Sequence, residues 1–394
     1  MEPRFFNREL SWIEFNGRVL HQALRRDQPL LERLQFLSIV TSNYDEFFQV
    51  RVASVKRMHM ANPHTLDISG LTPEMVLKQI SARSHQIMRI QHDCLNNDLL
   101  PEFAKRDICY VKPADFNAAQ SDYALNFFMN DVYPLLTPLR TDTEVFPNIT
   151  NLATYAAFLL KPIAGIRNAN EILKGSEDSP RISFVQIPNG LSQVIWLPGE
   201  NGKKQFALLE EIIVRYGTQL FAGFEVEETL LFKIARDADF AVDEDSGSNF
   251  VDAMEQVLVQ RQSSFPVQMT CNQTSEKILE FLKEKLELTE DDVYRVDDII
   301  NPGVLMELRE IDDGKIALIT IDKATPQLRM TYVGVKLGDE REQWKIIHHF
   351  EWLDDRKFYG TEAVQLWPYS QTGWSVSGDF SGRLLYELDG LVYT

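Results

Sequence analysis

Residues 41–51 read TSNYDEFFQVR and place an amide, two carboxylates and an arginine between two apolar helical runs. Ser42 or Asn43 can cap the second of these helices. Asp45 and Glu46 would then lie in its first turn, where the positive end of the helix dipole favours carboxylates. The stretch therefore predicts a helix N-terminus whose backbone N–H groups can meet an anionic or nucleotide ligand. The alternative is a cap between two core helices that has no further role.

The chain around this stretch, from residue 1 to about 106, has the apolar spacing of helices. Asn7 is suited to cap a first helix, and Pro29 suits the first turn of the next one. A long helix is predicted over residues 73–95. This part is expected to be a small helical bundle.

Residues 107–310 combine short β-branched and aromatic runs with helical spacing, which predicts an α+β domain. The predicted strands are 108–111, 151–160, 181–187, 193–197, 229–234 and 267–270. The predicted helices are 115–133, 206–221, 250–261 and 275–286.

Residues 311–394 are expected to form a small β-rich module, with strands at 315–322, 328–337, 344–352, 363–367 and 383–388. Four tryptophans lie in this module and are expected to fill its core, with an aromatic binding face as the alternative. The whole chain is thus predicted to be a multidomain α+β protein, divided at about residues 106 and 310.

The composition is that of a soluble globular protein, with 394 residues, 44% hydrophobic and 25% charged. A formal net charge of -18 argues against general nucleic-acid binding, which needs a cationic surface. The basic pairs Arg25-Arg26 and Lys56-Arg57 could line a channel for a polyanion, but we expect them to be solvated charges on helix faces. No run is long enough to span a bilayer, and the N-terminus does not resemble a signal peptide.

The three cysteines lack Cys-x-x-Cys spacing, so they predict neither a disulfide framework nor a zinc site. They suit a reducing compartment, and the expected location is the cytoplasm. His85 and His92 are two helical turns apart, whereas a chelating pair on a helix would be three or four residues apart. We therefore predict no metal site there and expect His59, His64, His85 and His92 to face solvent.

The opening of the chain resembles that of the bacterial polyphosphate kinases, which make inorganic polyphosphate from ATP. Four blocks in order carry the resemblance: NRELSWIEFN at 7–16, PLLERLQFLSI at 29–39, SNYDEFF at 42–48 and VRV at 50–52. Later blocks resemble the head domain of the same family: YPLLTPL at 133–139, FALLEEII at 206–213, RDAD at 236–239 and DVYRVD at 292–297. No family block is recognised beyond about residue 310, and the resemblance is expected to end there.

This resemblance implies a set of ligands and partners. Asn43 matches the family's ATP-contacting asparagine, with Asp45 and Arg51 as supporting candidates. Polyphosphate would be a second ligand, and the head domain would contribute to a homo-oligomer. Mg²⁺ is expected for the family, but no site for it is identified in this sequence.

The catalytic motifs of phosphoryl transfer are absent from the sequence. No Gly-x-x-x-x-Gly-Lys-Ser/Thr loop occurs. The family phosphorylates a histidine in a His-x-Lys setting, and none of the seven histidines here is followed by x-Lys. His348 and His349 are expected to pack within or at the edge of a strand. We therefore predict no catalytic residue in this chain, because an asparagine cannot replace a nucleophilic imidazole.

Three functional hypotheses follow. The favoured one is a truncated or rearranged polyphosphate-kinase-like protein that keeps the ATP-contacting and dimerising parts and is inactive alone. The second is a full enzyme whose tail supplies a different chemistry. The third is a non-catalytic module that docks on an intact kinase or on another partner.

Overall fold

The structure is a computed structural model that describes residues 5–141, 146–163, 181–199, 202–238, 264–297 and 299–310, together with the backbone of short strands between 318 and 393. Two compact units are present. The first contains Met1–Ile319 and Gly334–Ile346, and the second contains Thr320–Val333 and Ile347–Thr394. The helical and α+β parts predicted from the sequence both lie in the first unit.

The first part of the chain is the predicted helical bundle. Its helices are α1 (Arg8–Leu24), α2 (Leu30–Glu46), α3 (Ala53–Ala61), α4 (Pro73–Cys94) and α5 (Leu100–Ala104). Asn7 caps α1 as predicted, because its side chain accepts hydrogen bonds from the backbone N–H groups of Glu9 and Leu10 at 2.9 and 3.0 Å. Ile13 and Leu34 are fully buried, so α1 and α2 share one core.

The second part is built on strands β1 (Ile108–Tyr110), β2 (Leu139–Arg140), β3 (Thr154–Pro162), β4 (Arg181–Gln186), β5 (Val194–Leu197), β6 (Lys204–Leu208), β7 (Phe224–Arg236), β8 (Pro266–Cys271) and β9 (Val293–Arg295). Among the described residues, the larger sheet has the order β2-β4-β3-β7-β8-β9, and β1-β6-β5 form a smaller one. The helices of this part are α6 (Ala118–Phe127), α7 (Leu209–Tyr216) and α8 (Glu276–Leu286). This confirms the predicted α+β class.

The larger sheet is buried on both faces. Side chains of a strand alternate between faces, and β3 shows this directly. Tyr155 and Ala157 join a core that includes residues of α8, while Ala156 and Phe158 join a second core that includes residues of α6 and α7. The middle of β7 is therefore enclosed, and any charged group on it needs a partner.

Two of the predicted helices begin at different residues in the structure, and a third lies outside the described residues. The predicted helix at 206–221 begins instead as β6, because residues 205–208 pair with β5 and 204–206 pair with β1. Tertiary pairing overrides the local apolar spacing there. The predicted helix at 115–133 begins later, at Ala118, after a capping box formed by Asn117 and Gln120. The predicted helix at 250–261 lies outside the described residues.

The C-terminal strands are β10 (Leu318–Ala324), β11 (Leu328–Lys336), β12 (Trp344–Trp352), β13 (Tyr386–Leu388) and β14 (Leu391–Tyr393). The order β10-β11-β12 forms one sheet, and β13 pairs antiparallel with β14. This agrees with a β-rich tail. The predicted strand at 363–367 and the roles of the tryptophan and histidine side chains of this tail lie outside the described part.

None of the helices in the described ranges combines the length and the apolar character that a membrane span requires.

Candidate functional site

Helix α2 does not end at the polar stretch. It runs through Asn43 to Glu46 and continues as a π-helical segment, Phe47–Val52, that leads directly into α3. The predicted helix N-terminus at Ser42 or Asn43 is therefore wrong. No glycine or proline occurs between residues 30 and 61, and the change in apolar pattern reflects the wider π turn. Backbone N–H groups at this point lie inside a continuous helix and are not available to an anion.

The side chain of Asn43 is half-buried and held by a fixed partner. Asn16 of α1 is fully buried, and its Nδ2 donates to the carbonyl oxygen of Val40 at 3.3 Å. The Oδ1 of Asn16 then accepts from Nδ2 of Asn43 at 3.0 Å. This relay sets which end of the Asn43 amide points outward. Its Oδ1 bonds to no described residue and is not sealed from solvent.

Aromatic side chains pack between α1 and the helix that carries Asn43. Trp12 of α1 stacks on Phe47 with ring centroids 4.1 Å apart and an interplanar angle of 1°. Tyr44 meets Trp12 edge-on at 6.3 Å, and burial raises the pKa of its phenol, which stays neutral. Asn43 is therefore carried on a packed helix pair and not on a loop.

Asp45 lies on a different side of α2 from Asn43, since residues two apart in an α-helix are separated by about 200°. Its Oδ1 and Oδ2 accept from Nζ of Lys233 at 2.7 and 3.0 Å. Lys233 lies in the buried C-terminal half of β7, and its side chain is only 3% exposed. Asp45 thus joins the helical bundle to the larger sheet, and the structure does not bring it to the Asn43 amide.

Arg51 contacts the beginning of α1. Its Nη1 lies 4.0 Å from Oε1 of Glu9, whose carboxylate is almost fully buried. Arg8 also reaches this oxygen, at 2.8 Å. Arg51 therefore helps to neutralise a buried carboxylate. The contact of Asn43 with ATP, and any support from Asp45 or Arg51, remain predictions.

In the basic pair Lys56-Arg57, Lys56 is mostly buried, contrary to expectation, while the side chain of Arg57 is 37% exposed. Nζ of Lys56 lies 2.7 Å from Oδ1 of Asp292, and Arg57 is paired with the buried carboxylate of Asp237. Both cations therefore fasten α3 to the α+β part. The pair Arg25-Arg26 behaves as predicted, with side chains 42% and 81% exposed.

Three of the four histidines are not solvent-facing as expected, since His59 and His85 are half-buried and His92 is buried, while His64 is exposed. His85 is half-buried between the carbonyl oxygens of Ser81 and Val293, and its ring stacks on Tyr294 at 4.3 Å. His92 is 7% exposed. Within the described residues, no cluster of three or more His, Cys, Asp or Glu could hold a metal ion. These ranges therefore offer no group of ligands for the Mg²⁺ that the resemblance implies.

Glu210 is a buried titratable group at the start of α7, with 4% of its surface exposed. Burial, aided by the neighbouring Glu211 carboxylate, raises the pKa of Glu210 to about 8. The Ile300 N–H group and the Lys233 ammonium act in the opposite direction. Near neutral pH the carboxyl of Glu210 is therefore largely protonated.

Sequence reasoning missed Asn16 and Lys233, the partners that orient Asn43 and hold Asp45. These partners are 27 and 188 positions away along the chain. Asn16 ends a quoted block of the sequence but carries no local signal of its role. The sequence does contain one signal for the contact with Asp45, namely a lysine within the apolar strand β7, because a buried charge needs a partner.

Comparisons with known proteins agree with the fold and with the motifs. The sequence profile described as the polyphosphate kinase N-terminal domain matches residues 5–111. The profile described as the polyphosphate kinase middle domain matches residues 119–308. Together these two matches account for the helical bundle and the α+β part.

Full-length relatives extend the match. The polyphosphate kinase of Bacillus cereus is 31% identical over 388 residues, which cover 95% of this chain and 53% of that protein. The polyphosphate kinase of Halalkalibacterium halodurans is 33% identical and covers 96% of this chain and 54% of its own length. The family profiles end at residue 308, as expected from the motifs, whereas alignments this long also extend beyond residue 310.

A solved structure shares the fold. The crystal structure of polyphosphate kinase from Porphyromonas gingivalis superposes with a TM-score of 0.62 at 22% identity, covering 82% of this chain and 43% of that one. The chain spans about half the length of the curated relatives it matches. With both family profiles matched along its first 308 residues, the chain belongs to the polyphosphate kinase family.

Proposed function

We propose that this chain binds ATP on the adenine side, through Asn43, and that transfer of the terminal phosphate to polyphosphate depends on residues outside it. The observation that carries the proposal is the outward, unbonded Oδ1 of Asn43, fixed by Asn16. Family membership supports ATP as the nucleotide. The role of the chain is then that of a preorganised nucleotide-binding scaffold.

The chemistry of an asparagine amide suits adenine. Its Oδ1 can accept from the exocyclic amino group, and the second hydrogen of Nδ2 can donate to a ring nitrogen, which is the pairing that asparagine makes with adenine edges elsewhere. Guanine carries a carbonyl oxygen where adenine carries the amino group. The hydrogen bonds through Asn16 prevent the Asn43 amide from flipping. Guanine would therefore place its carbonyl oxygen against Oδ1 of Asn43, and two acceptors cannot form a hydrogen bond.

Replacing Asn43 by alanine is expected to weaken ATP binding by about 1 to 3 kcal/mol, the contribution of a bidentate pair between an asparagine amide and adenine. Calorimetric titration of the purified chain with ATP and with GTP measures it. The wild type should prefer ATP, and Asn43→Ala should lose most of that preference. Ser42→Ala is the matched control, because this exposed neighbour bonds only to the Ile39 carbonyl at 3.1 Å. Unchanged ATP affinity in Asn43→Ala would remove Asn43 from the site.

The chain alone is expected to make no polyphosphate. Its seven histidines include none in a His-x-Lys setting, and phosphoryl transfer through a covalent intermediate needs an activated nucleophile. Incubation with radiolabelled ATP and magnesium, followed by acid precipitation, measures polymer formation. Robust synthesis would contradict this part of the proposal and favour an enzyme whose tail supplies its own chemistry.

The non-catalytic docking module remains the alternative. It is distinguished by nucleotide binding, since a docking module has no need of it. Homo-oligomerisation through the α+β part and contact with polyphosphate belong to the proposal as properties implied by the family.

A further inference from the structure

The last residue of β7, Arg236, is a buried cation held by backbone oxygens. Its side chain donates from Nε to the Ile149 carbonyl at 3.0 Å and from Nη1 to the Ser264 carbonyl at 2.5 Å. The residue is 7% exposed. Carbonyl oxygens accept hydrogen bonds but carry no formal charge, so they position the guanidinium without neutralising it.

No carboxylate compensates this charge among the described residues. None lies within 4.0 Å of the guanidinium, and the adjacent Asp237 is engaged by Arg57. Desolvation lowers the pKa of Arg236, and the Tyr155 phenol, which is not a carboxylate, acts in the opposite direction. Buried charges in proteins are normally paired, so a guanidinium without a counter-ion among the described residues can be compensated by a bound anion.

The remaining amino group of Arg236 is not enclosed. Its Nη2 makes no bond to a described residue and is not sealed from solvent. Arg236 lines a cleft of about 490 Å³. The cleft is therefore large enough for a small ligand, and Arg236 is part of its lining.

A second cation lines the same cleft. Lys285 is near the end of α8, its side chain is 43% exposed, and the nearest carboxylate is Glu284 at 3.8 Å. Glu287 also lines the cleft, but it lies within 4.0 Å of neither Arg236 nor Lys285. The net charge of the chain is -18, so two cations with few carboxylates close to them form a locally positive site.

We propose that this cleft binds a phosphate group, with Arg236 as the fixed inner cation and Lys285 as the mobile outer one. Guanidinium groups present a planar fork of donors to phosphate oxygens, and lysine adds a point charge. The site is separate from Asn43 and does not rest on the proposed adenine contact. Its ligand is an inorganic phosphate compound or the phosphate of a nucleotide.

The test is calorimetric titration of the full chain with inorganic tripolyphosphate. Lys285→Gln is expected to weaken binding by about threefold to tenfold, and Arg236→Lys by about tenfold or more, as expected for charge-assisted hydrogen bonds. Lys277→Gln is the matched control. It removes the same charge from the same helix at a lysine that is paired with Glu228 at 2.6 Å and does not line the cleft.

Each outcome decides the proposal. Absence of tripolyphosphate binding would overturn it. Equal losses of affinity in Lys285→Gln and Lys277→Gln would also overturn it, because they would show only a general attraction between opposite charges. Circular dichroism checks that Arg236→Lys is folded, and Lys285→Gln tests the site without touching a buried residue. Titration with AMP identifies the kind of ligand. If AMP binds with the same affinity as inorganic phosphate, the cleft recognises the phosphate group alone. If AMP binds more tightly and Lys285→Gln weakens that binding, the ligand of the cleft is a nucleotide. Tripolyphosphate has no base that could contact Asn43, so a failure of this test does not affect the ATP proposal. In the same way, a failure of the ATP proposal does not affect the phosphate site.

Discussion

Replacing Asp45 by asparagine is expected to destabilise the protein by about 3 to 5 kcal/mol, the usual effect of removing one partner from a buried ion pair. The variant would leave the ammonium of Lys233, which is 3% exposed, without its carboxylate partner. Lys233→Met should be milder, because the Asp45 side chain is 24% exposed and water can solvate part of its charge. Chemical denaturation followed by fluorescence measures the free energy of unfolding of each variant.

The double variant makes this expectation specific. Asp45→Asn combined with Lys233→Met removes both charges, so it should recover much of the stability lost in Asp45→Asn alone. A double variant as unstable as the sum of the two single variants would show that the two groups do not act as a pair.

Replacing Glu210 by glutamine is expected to stabilise the protein increasingly as the pH rises. The pKa of Glu210 is raised from 4.5 to about 8 on folding, so between these values the folded state holds a proton that the unfolded state releases. Stability of the wild type must therefore fall as the pH rises through this window. Glutamine keeps a neutral side chain throughout. Its advantage should be small near pH 5 and reach the order of 4 kcal/mol at pH 8 and above.

Urea unfolding at several pH values between 5 and 8.5 measures this difference. Glu225→Gln is the control, since Glu225 is exposed on the same α+β part and should show no such trend. A difference between Glu210→Gln and wild type that does not change with pH would mean that the carboxyl is not protonated in the folded protein.

Local signals predicted the parts of the fold that depend on neighbours in the sequence. The cap at Asn7, the long helix beginning at Pro73 and the strand that became β3 all follow from spacing and end signals within a few residues. Residues 206–208 were misread because their pairing partners on β1 and β5 lie elsewhere in the chain. Local apolar spacing cannot distinguish a strand that leads into a helix from a longer helix.

The candidate site was predictable only in part. Resemblance pointed to Asn43, but the bond from Asn16 that orients it crosses between helices. Asp45 looked like a first-turn carboxylate because its neighbours are typical capping residues. Its actual partner is on a distant strand, and no local pattern encodes a contact of that range.

The π-helical segment has a consequence for how α3 is aligned with α2. A π turn takes up one residue more than an α turn, and each residue of an α-helix advances the side-chain direction by about 100°. Everything after Val52 is therefore out of phase with a straight extension of α2. Lys56 and Arg57 owe their direction toward Asp292 and Asp237 to this offset. The length of a single helical turn, and not only the identity of its side chains, determines which charges of α3 can reach the sheet.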